Sequence, residues 1–225
     1  TSTDNLKGFT QAITSILPGT DRVLRVSRPP VPGPLQLLSV GSVVKRKGFD
    51  ILLPALARLT ELPWHLTIAG DLTRDAEAVA QLHADLERFE LLTRVRVLGA
   101  IDSAHLQVLY SQADVFVLAS RFEGYGMAYA EALAHGLPVI GTTAGAIPDT
   151  VPDTAGLLAK PGDVDGLQNA LRQIIQDQVL RQSLSQGALL AAAQQPSWAE
   201  CARLFEEVVE RTCAVATLND SDALR

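Results

Sequence analysis

The sequence predicts an α/β fold built on a doubly wound parallel sheet of about six strands. Short apolar runs alternate along the 225 residues with stretches that carry apolar residues at helical spacing. The runs are continuously apolar, as in VFVLAS at 115–120, which is typical of strands covered by helices on both faces. Regular alternation of strand and helix then favours parallel pairing in one sheet. Ligands bind such sheets beyond the carboxyl ends of the strands, so functional residues are expected there.

Six apolar runs are the predicted strands, and helical stretches separate most of them. The strands are expected at 35–41, 65–70, 95–99, 115–120, 138–142 and 156–159. The helices are expected at 49–59, 74–90, 104–113 and 126–134, and over nearly all of 163–217. A Gln-Pro-Ser break at 195–197 divides the last stretch, and Ser197 with Glu200 three residues later is typical of a capping box.

Turn-forming residues divide the chain into three parts. Residues 1–34 contain Pro-Gly and Pro-Pro pairs and read as a lead-in segment. Residues 35–195 are the predicted Rossmann-like domain, and 196–225 are a C-terminal helix and tail. The first residue is not methionine, so we expect a fragment of a longer protein.

The composition indicates an ordinary globular protein, with 47% hydrophobic and 20% charged residues. A net charge of −6 disfavours a nucleic-acid-binding protein, because phosphate backbones are held by clustered Lys and Arg. Cys201 and Cys213 fit neither a disulfide framework nor a zinc site, so we expect a reducing compartment, the cytoplasm. No apolar run approaches the roughly 20 residues of a membrane span, and no signal peptide is recognisable.

Three common site motifs are missing from the sequence. The glycines do not form G-x-G-x-x-G, no Gly-Lys-Ser/Thr occurs, and no G-x-S-x-G occurs. These absences argue against a dinucleotide-dependent oxidoreductase, a P-loop protein and an α/β-hydrolase. The four histidines lack metal-ligand spacing, and we expect structural roles for them, with His135 as a cation at the end of a helix.

A basic cluster follows the first predicted strand. Lys45, Arg46 and Lys47 precede Gly48 at the carboxyl edge of the sheet, where three cations suit a phosphate or diphosphate. On spacing alone, a group of solvated surface cations explains the pattern equally well.

The second candidate element is FEGYGMAYAE at 122–131. Its amides at the predicted helix start suit an anion, and they belong to Gly126, Met127 and Ala128. Glu123 lies before this helix and Glu131 lies eight residues later, on the order of 10 Å away. That separation is too large for an acid–base pair on one bond, but it suits two hydroxyl-rich groups flanking a diphosphate. The alternative is a helix start that carries acids only because they favour the helix dipole.

The run from Leu37 to about Ile175 resembles the carboxyl-terminal, donor-binding half of family 4 glycosyltransferases, which have the GT-B fold. The matching blocks are VGSVVKRKGFDILLPAL (40–56), LTIAGD (66–71), VRVLGAI (95–101), LYSQADVFVLASRFEGYGMAYAEALAHGLPVIGT (109–142) and AGAIPDTV (144–151). PGTD at 18–21 resembles the segment that follows the interdomain linker, so the lead-in would include the linker region. The resemblance implies one half of a GT-B fold.

The resemblance also implies a role for each matching residue. Glu123 would contact hydroxyls of the donor sugar and Lys47 would neutralise the departing diphosphate, so these two are the expected catalytic residues. Glu131 would hold the ribose diol. Ser120 and Arg121 would shape the pocket. The other expected donor-binding residues are Ser42, Arg46, the loop residues Val97 and Leu98 against the base, the Gly126 and Met127 amides against the distal phosphate, and Ala128.

One position departs from the family's pattern. Many members carry arginine directly after the first-strand glycine, where this chain has Ser42. Either Lys45 or Arg46 compensates, or a single cation stabilises the leaving group more weakly.

The expected activity is retaining transfer of a sugar from a UDP-, GDP- or ADP-linked donor to an acceptor, without metal or cofactor. The expected partner is the N-terminal, acceptor-binding half of the same enzyme. Any peripheral membrane contact would be made through that half. This chain alone would bind the donor but transfer the sugar poorly. A non-catalytic nucleotide-sugar-binding module and a GT-B-fold epimerase are the alternatives.

Overall fold

A computed structural model of the protein describes residues 14–21 and 33–222, with side chains as far as residue 212. Most of the predicted lead-in (1–13 and 22–32) and the end of the tail (223–225) lie outside the described residues. Six strands form one parallel sheet: β1 (Leu35–Val40), β2 (Trp64–Ala69), β3 (Val95–Val97), β4 (Val115–Val117), β5 (Val139–Thr142) and β6 (Gly156–Ala159).

The helices follow the strands in chain order. They are α1 (Phe49–Ala57), α2 (Ala76–Arg88), α3 (Ser103–Gln112), α4 (Met127–Ala134), α5 (Ile147–Thr150), α6 (Val164–Gln176), α7 (Gln178–Ala193) and α8 (Trp198–Asp222). The predicted fold class is therefore confirmed. The sequence did not predict α5, nor the break between α6 and α7, where the side chain of Asp177 caps α7 by accepting from the Leu180 amide.

The strand order β3-β2-β1-β4-β5-β6 places β1 and β4 side by side at the centre of the sheet. The chain moves from β1 towards one edge and from β4 towards the other, so this boundary is the topological switch point. Right-handed crossovers then place α1 and α4 on opposite faces. In agreement, α1 packs against α2 and α6, whereas α4 packs against α7. The carboxyl ends of β1 and β4 together are where a ligand-binding crevice is expected.

The core consists of the two covered faces of the sheet. The largest fully buried side chains include Trp64, Tyr110, Phe116 and Tyr129. Burial on both faces explains why the strands are continuously apolar in sequence. Within the part of the chain that the structure describes, no helix is both long and apolar enough to cross a membrane.

The start of α8 joins the lead-in segment to the domain. Ser197 and Glu200 form the predicted capping box, since the Ser197 amide donates to the Glu200 carboxylate (2.7 Å) and the Glu200 amide donates to Ser197 Oγ (3.3 Å). The Thr20 amide donates to the carbonyl oxygen of Pro196 at 3.0 Å. This contact holds the 14–21 segment beside α8 and brings Asp21 to the domain surface.

Candidate functional site

The loops at the carboxyl edge of the sheet are in direct contact. The Gly70 amide, after β2, donates to the carbonyl oxygen of Gly99, after β3, at 2.9 Å. A Cβ atom on Gly70 would overlap the carbonyl oxygen of Gly41, after β1. Glycine at position 70 therefore lets the loops after β1, β2 and β3 lie against each other.

The loops after β1 and β4 meet at the switch point. Residues Lys45–Lys47 form a 3₁₀ turn that ends at Gly48, where φ is 71°. A Cβ atom on Gly48 would overlap the carbonyl oxygen of Ala119 just after β4, so only glycine fits in this conformation and at this distance. The turn carries the predicted basic cluster to the loop that contains Glu123.

Glu123 is held by two of the three cations in the predicted basic cluster. Lys47 Nζ donates to Glu123 Oε1 at 2.6 Å, and Arg46 NH1 donates to Glu123 Oε2 at 2.9 Å. Ser120 Oγ also donates to Oε1, at 2.7 Å. The structure therefore brings together Lys47, Arg46 and Glu123, which the sequence predicted separately, and adds Ser120 to them.

The charge state of Glu123 follows from its surroundings. Burial acts to raise the pKa of Glu123, but the hydrogen bonds from Lys47, Ser120 and Arg46 outweigh it and hold that pKa below its ordinary value. The Lys47 and Glu123 side chains are 12% and 8% exposed, whereas Arg46 is 47% exposed. Lys47 and Glu123 thus form a buried ion pair, with Arg46 at its solvent edge.

The loop after β5 holds the backbone of Glu123. The Ala146 amide donates to the carbonyl oxygen of Glu123 at 3.0 Å. Gly145 has a φ of 57°, and a Cβ atom there would overlap the same oxygen. The AGAIPDTV block therefore fixes the position of the glutamate.

The start of α4 offers free amides next to Glu123. Gly126 is the N-cap with a φ of 92° and provides no side-chain cap. Among the hydrogen bonds of the described chain, the amides of Met127 and Ala128 have no backbone acceptor. Free amides at a helix start bind anions, as the sequence predicted for this position.

Glu131 belongs to a second cluster, on the body of α4. Its carboxylate accepts from the hydroxyl of the buried Tyr110 at 2.9 Å. Burial raises the pKa of Glu131, the Tyr110 hydrogen bond opposes this shift, and the charge of Asp21 adds to it. A small cavity of about 40 Å³ beside the carboxylate is also lined by Asp21, Met127 and Trp198.

His135 forms one wall of this cavity. Its ring stacks on Tyr110 with the centroids 4.8 Å apart, and burial lowers its pKa. The predicted helix end at His135 is confirmed, since His135 is the C-cap of α4, but its burial disfavours the predicted cation because it favours the neutral ring.

The remaining predicted residues lie along the same edge without a side-chain role in either cluster. Ser42 is half-buried directly after Gly41. Val97 ends β3, and the amide of Leu98 already donates to the carbonyl oxygen of Ile68 at 2.9 Å. Their contact with a base stays a prediction.

A wide groove of about 790 Å³ lies away from these clusters. Its walls come from the first halves of β1, β2 and β3 and from the end of α3, and they include His65 and Arg96. Neither Lys47 nor Glu123 lines it, and the first halves of parallel strands face away from the expected crevice. We therefore place the candidate site at the cluster of Lys47, Arg46 and Glu123 rather than in the wider groove.

The structure also identifies residues that sequence reasoning missed. Asp50 fixes Arg121 by accepting a hydrogen bond of 2.7 Å from its guanidinium. Tyr110 fixes Glu131 by donating a hydrogen bond of 2.9 Å to its carboxylate. Tyr110 lies within a predicted helix that gave no signal of this contact, and a single acid such as Asp50 carries no signal of its partner. No group of three or more His, Cys, Asp or Glu able to hold a metal ion occurs within residues 14–21 and 33–212.

Comparison with known proteins supports the resemblance seen in the motifs. The family whose sequence profile matches is described as Glycosyl transferases group 1, and the match covers residues 22–190. O-antigen chain mannosyltransferase B of Escherichia coli is 33% identical over 167 residues, which is 73% of this chain and 42% of that protein.

Two solved structures are similar to this fold. Sucrose-phosphate synthase from Thermosynechococcus elongatus matches with a TM-score of 0.75 and 29% identity, over 83% of this chain and 47% of that one. HepE from Anabaena, in complex with UDP and glucose, matches with a TM-score of 0.73 and 25% identity, over 79% and 48%.

The matched part of this chain covers less than half the length of each of these proteins. The matches confirm the predicted fold as one half of a GT-B fold. Since the family profile covers well over half of the sequence, the chain belongs to the glycosyl transferases group 1 family.

Proposed function

We propose that this chain is the donor-binding half of a retaining, family 4-like glycosyltransferase that uses a nucleotide-diphosphate sugar. The observation that carries the proposal is the convergence of Lys47, Arg46 and the free amides at the start of α4 on one edge of the sheet. Two cations and a helix start together suit a diphosphate, which carries more negative charge than a single cation neutralises. The solved structure of HepE with UDP and glucose supports a ligand of this class.

Arg46 fills the role left open by Ser42. Its guanidinium reaches Glu123, whereas no hydrogen bond or ion pair joins the Lys45 side chain to Glu123 among the described residues, and the Lys45 backbone amide donates to Asp75 at 3.2 Å. A guanidinium offers several donors in one plane and suits phosphate oxygens. We therefore assign Arg46, rather than Lys45, as the second cation for the diphosphate.

Glu123 binds the sugar rather than acting as a base. Both of its oxygens accept hydrogen bonds from cations, and its pKa lies below the ordinary range. A carboxylate in this state is a poor proton acceptor and a good acceptor of hydrogen bonds from sugar hydroxyls. Glu131, in the other cluster, holds the ribose diol through its carboxylate oxygens, although burial raises its pKa.

In the reaction, the bond between the anomeric carbon and the diphosphate oxygen breaks. The acceptor oxygen forms the new bond on the same face, and the acceptor proton passes to the departing diphosphate. Negative charge develops on the leaving oxygen, beside Lys47, Arg46 and the α4 amides. A preorganised donor at such a position contributes about 3 kcal/mol to lowering the barrier. These groups supply the positive charge, so the proposal includes no metal.

The other half of the enzyme completes this activity. The matched part of this chain covers less than half of each relative, and an acceptor site is proposed in an N-terminal half that faces the carboxyl edge of the sheet. This half alone binds donor and transfers poorly. The proposed location is the cytoplasm, with any peripheral membrane contact made by the other half.

A thermal-shift panel tests the donor site. UDP, GDP, ADP and NAD are added to the wild-type chain, to Lys47→Met and to the exposed-lysine control Lys160→Met. A ligand at 100 times its Kd stabilises by about 2.7 kcal/mol, or roughly 5–10 °C in a chain of this size. One nucleoside diphosphate should raise the Tm of the wild type and of Lys160→Met but not of Lys47→Met. Stabilisation by NAD alone, or by none of the four, contradicts the proposal.

A further inference from the structure

Arg121 lies between the two loops that carry the ion pair. Its guanidinium makes a bidentate contact with Asp50 in the first turn of α1, from NH1 to Oδ1 and from NH2 to Oδ2, each at 2.7 Å. The two side chains are 32% and 35% exposed, so the pair is partly shielded from water. A bidentate fork fixes the guanidinium in orientation as well as in distance.

The same residue binds the basic turn directly. Arg121 NH1 donates to the carbonyl oxygen of Lys45 at 2.8 Å, and the Arg121 amide donates to the carbonyl oxygen of Arg46 at 2.8 Å. In the opposite direction, Arg46 NH1 donates to the carbonyl oxygen of Phe122 at 2.7 Å. The loop after β4 and the turn after β1 are thus tied together on both sides of Arg121.

These contacts adjoin the cations on the turn and the glutamate on the loop. Lys47 directly follows the two residues whose carbonyl oxygens Arg121 binds, and Glu123 lies two residues after Arg121. Among the hydrogen bonds and ion pairs of the described residues, none joins the side chain of Arg121 or Asp50 to Glu123 or Lys47. Apart from the Coulomb effect of their charges, they therefore act on the ion pair through the backbone.

We propose that Arg121 and Asp50 are a positioning pair that holds the Lys45–Lys47 turn against the loop after β4, so that Lys47 and Arg46 are aligned for the diphosphate. This inference rests on the proposed function for its effect on binding. It also predicts that the pair keeps Lys47 and Arg46 beside Glu123 in the unliganded chain, which is testable without any nucleotide.

The Asp50→Asn variant distinguishes a positioning role of the pair from a purely electrostatic effect of the Asp50 charge on anion binding. Removing a negative charge near an anion site should strengthen anion binding by Coulomb attraction alone. The positioning role predicts the opposite, because asparagine cannot accept both arms of the Arg121 fork and the turn is released. The matched control is Glu61→Gln, which breaks the partly exposed Arg172–Glu61 pair (2.7 Å) on another part of the surface.

The first measurement is nucleotide affinity by calorimetry. The probes are UDP, GDP and ADP and their monophosphates, on the wild-type chain and on the Asp50→Asn, Arg121→Lys and Glu61→Gln variants. We expect Asp50→Asn and Arg121→Lys to weaken diphosphate binding about tenfold and monophosphate binding less, with no change in Glu61→Gln. Unchanged or tighter diphosphate binding in Asp50→Asn overturns the inference.

The second measurement uses the unliganded chain and the carboxyl titration of Glu123 followed by carbon NMR, assigned with Glu123→Gln. If the turn is released, the cations leave Glu123, and its pKa rises towards the ordinary value in Asp50→Asn. Loss of the Asp50 charge alone would lower the pKa instead. The positioning role is refuted if the Glu123 pKa in Asp50→Asn is lowered or unchanged while the Tm of the variant equals that of the wild type. If the wild type binds none of the diphosphates but the pKa of Glu123 rises as expected in Asp50→Asn, only the proposed function is refuted.

Discussion

Replacing Lys47 by methionine should destabilise the fold in a pH-dependent way. Methionine keeps the apolar stem that packs over Gly41 and removes only the ammonium group, which donates to Glu123 at 2.6 Å. A hydrogen bond to a charged group contributes about 1.5–3 kcal/mol, and breaking a buried ion pair costs about 3–5 kcal/mol. Glu123 keeps Arg46 and Ser120 as donors, so the lower range applies. We expect the free energy of unfolding to fall by about 2 kcal/mol at pH 7, or the Tm by about 4–8 °C.

The pH dependence follows from the lowered pKa of Glu123. A carboxyl group whose pKa is lower in the folded state contributes stability that is present above its unfolded pKa. That contribution is lost as the pH falls through the folded value. The difference between wild type and Lys47→Met should therefore be full at pH 7 and shrink below about pH 4.

The assay is urea unfolding of both proteins at pH 7, 5 and 3, with Lys160→Met as the exposed-lysine control. The control should match the wild type at each pH within about 0.5 kcal/mol. A difference for Lys47→Met that is the same at pH 3 and pH 7 would refute the reasoning, because it would show that the lost contact is not an ion pair with a titrating carboxylate.

Three further predictions concern the surroundings of the ion pair. Gly145→Ala should lower the free energy of unfolding by more than about 2 kcal/mol in urea unfolding, because φ is 57° and the Cβ would overlap the Glu123 carbonyl oxygen. Gly124→Ala, whose Cβ meets nothing within 4 Å, is the matched control, and an equal effect of the two variants counts against this account of the loop. Tyr110→Phe should raise the pKa of Glu131 further in a carboxyl NMR titration, since the lost hydrogen bond lowers it; an unchanged titration contradicts the contact. EDTA should leave the nucleotide-induced rise in Tm intact, whereas a strict need for added Mg²⁺ or Mn²⁺ would contradict a site built on Lys47 and Arg46.

The sequence predicts the sheet well because burial leaves a local signature. Strands covered on both faces are continuously apolar, and all six were recognised from that pattern. Helix ends were less predictable. The capping box at Ser197 was recognised, whereas Asp177 was missed because a single aspartate within a helical pattern gives little signal that the helix ends there.

The residues of the candidate site were predicted one by one, whereas their arrangement was not. The resemblance identified Lys47 and Glu123, yet their direct contact depends on β1 and β4 being neighbours, which local patterns do not reveal. The same holds for the hydrogen bond from Tyr110 to Glu131 across two helices. His135 was predicted as a cation because its position at a helix end is visible in sequence, whereas its burial beside Tyr110 is not.

The most direct test of the donor site is a crystal structure of this chain with the nucleoside diphosphate that stabilises it most. The account predicts the diphosphate within hydrogen-bond distance of Lys47 Nζ and of the Met127 and Ala128 amides, with the ribose at Glu131. A nucleotide bound instead in the groove lined by His65 and Arg96, with the Lys47–Glu123 pair untouched, would contradict it.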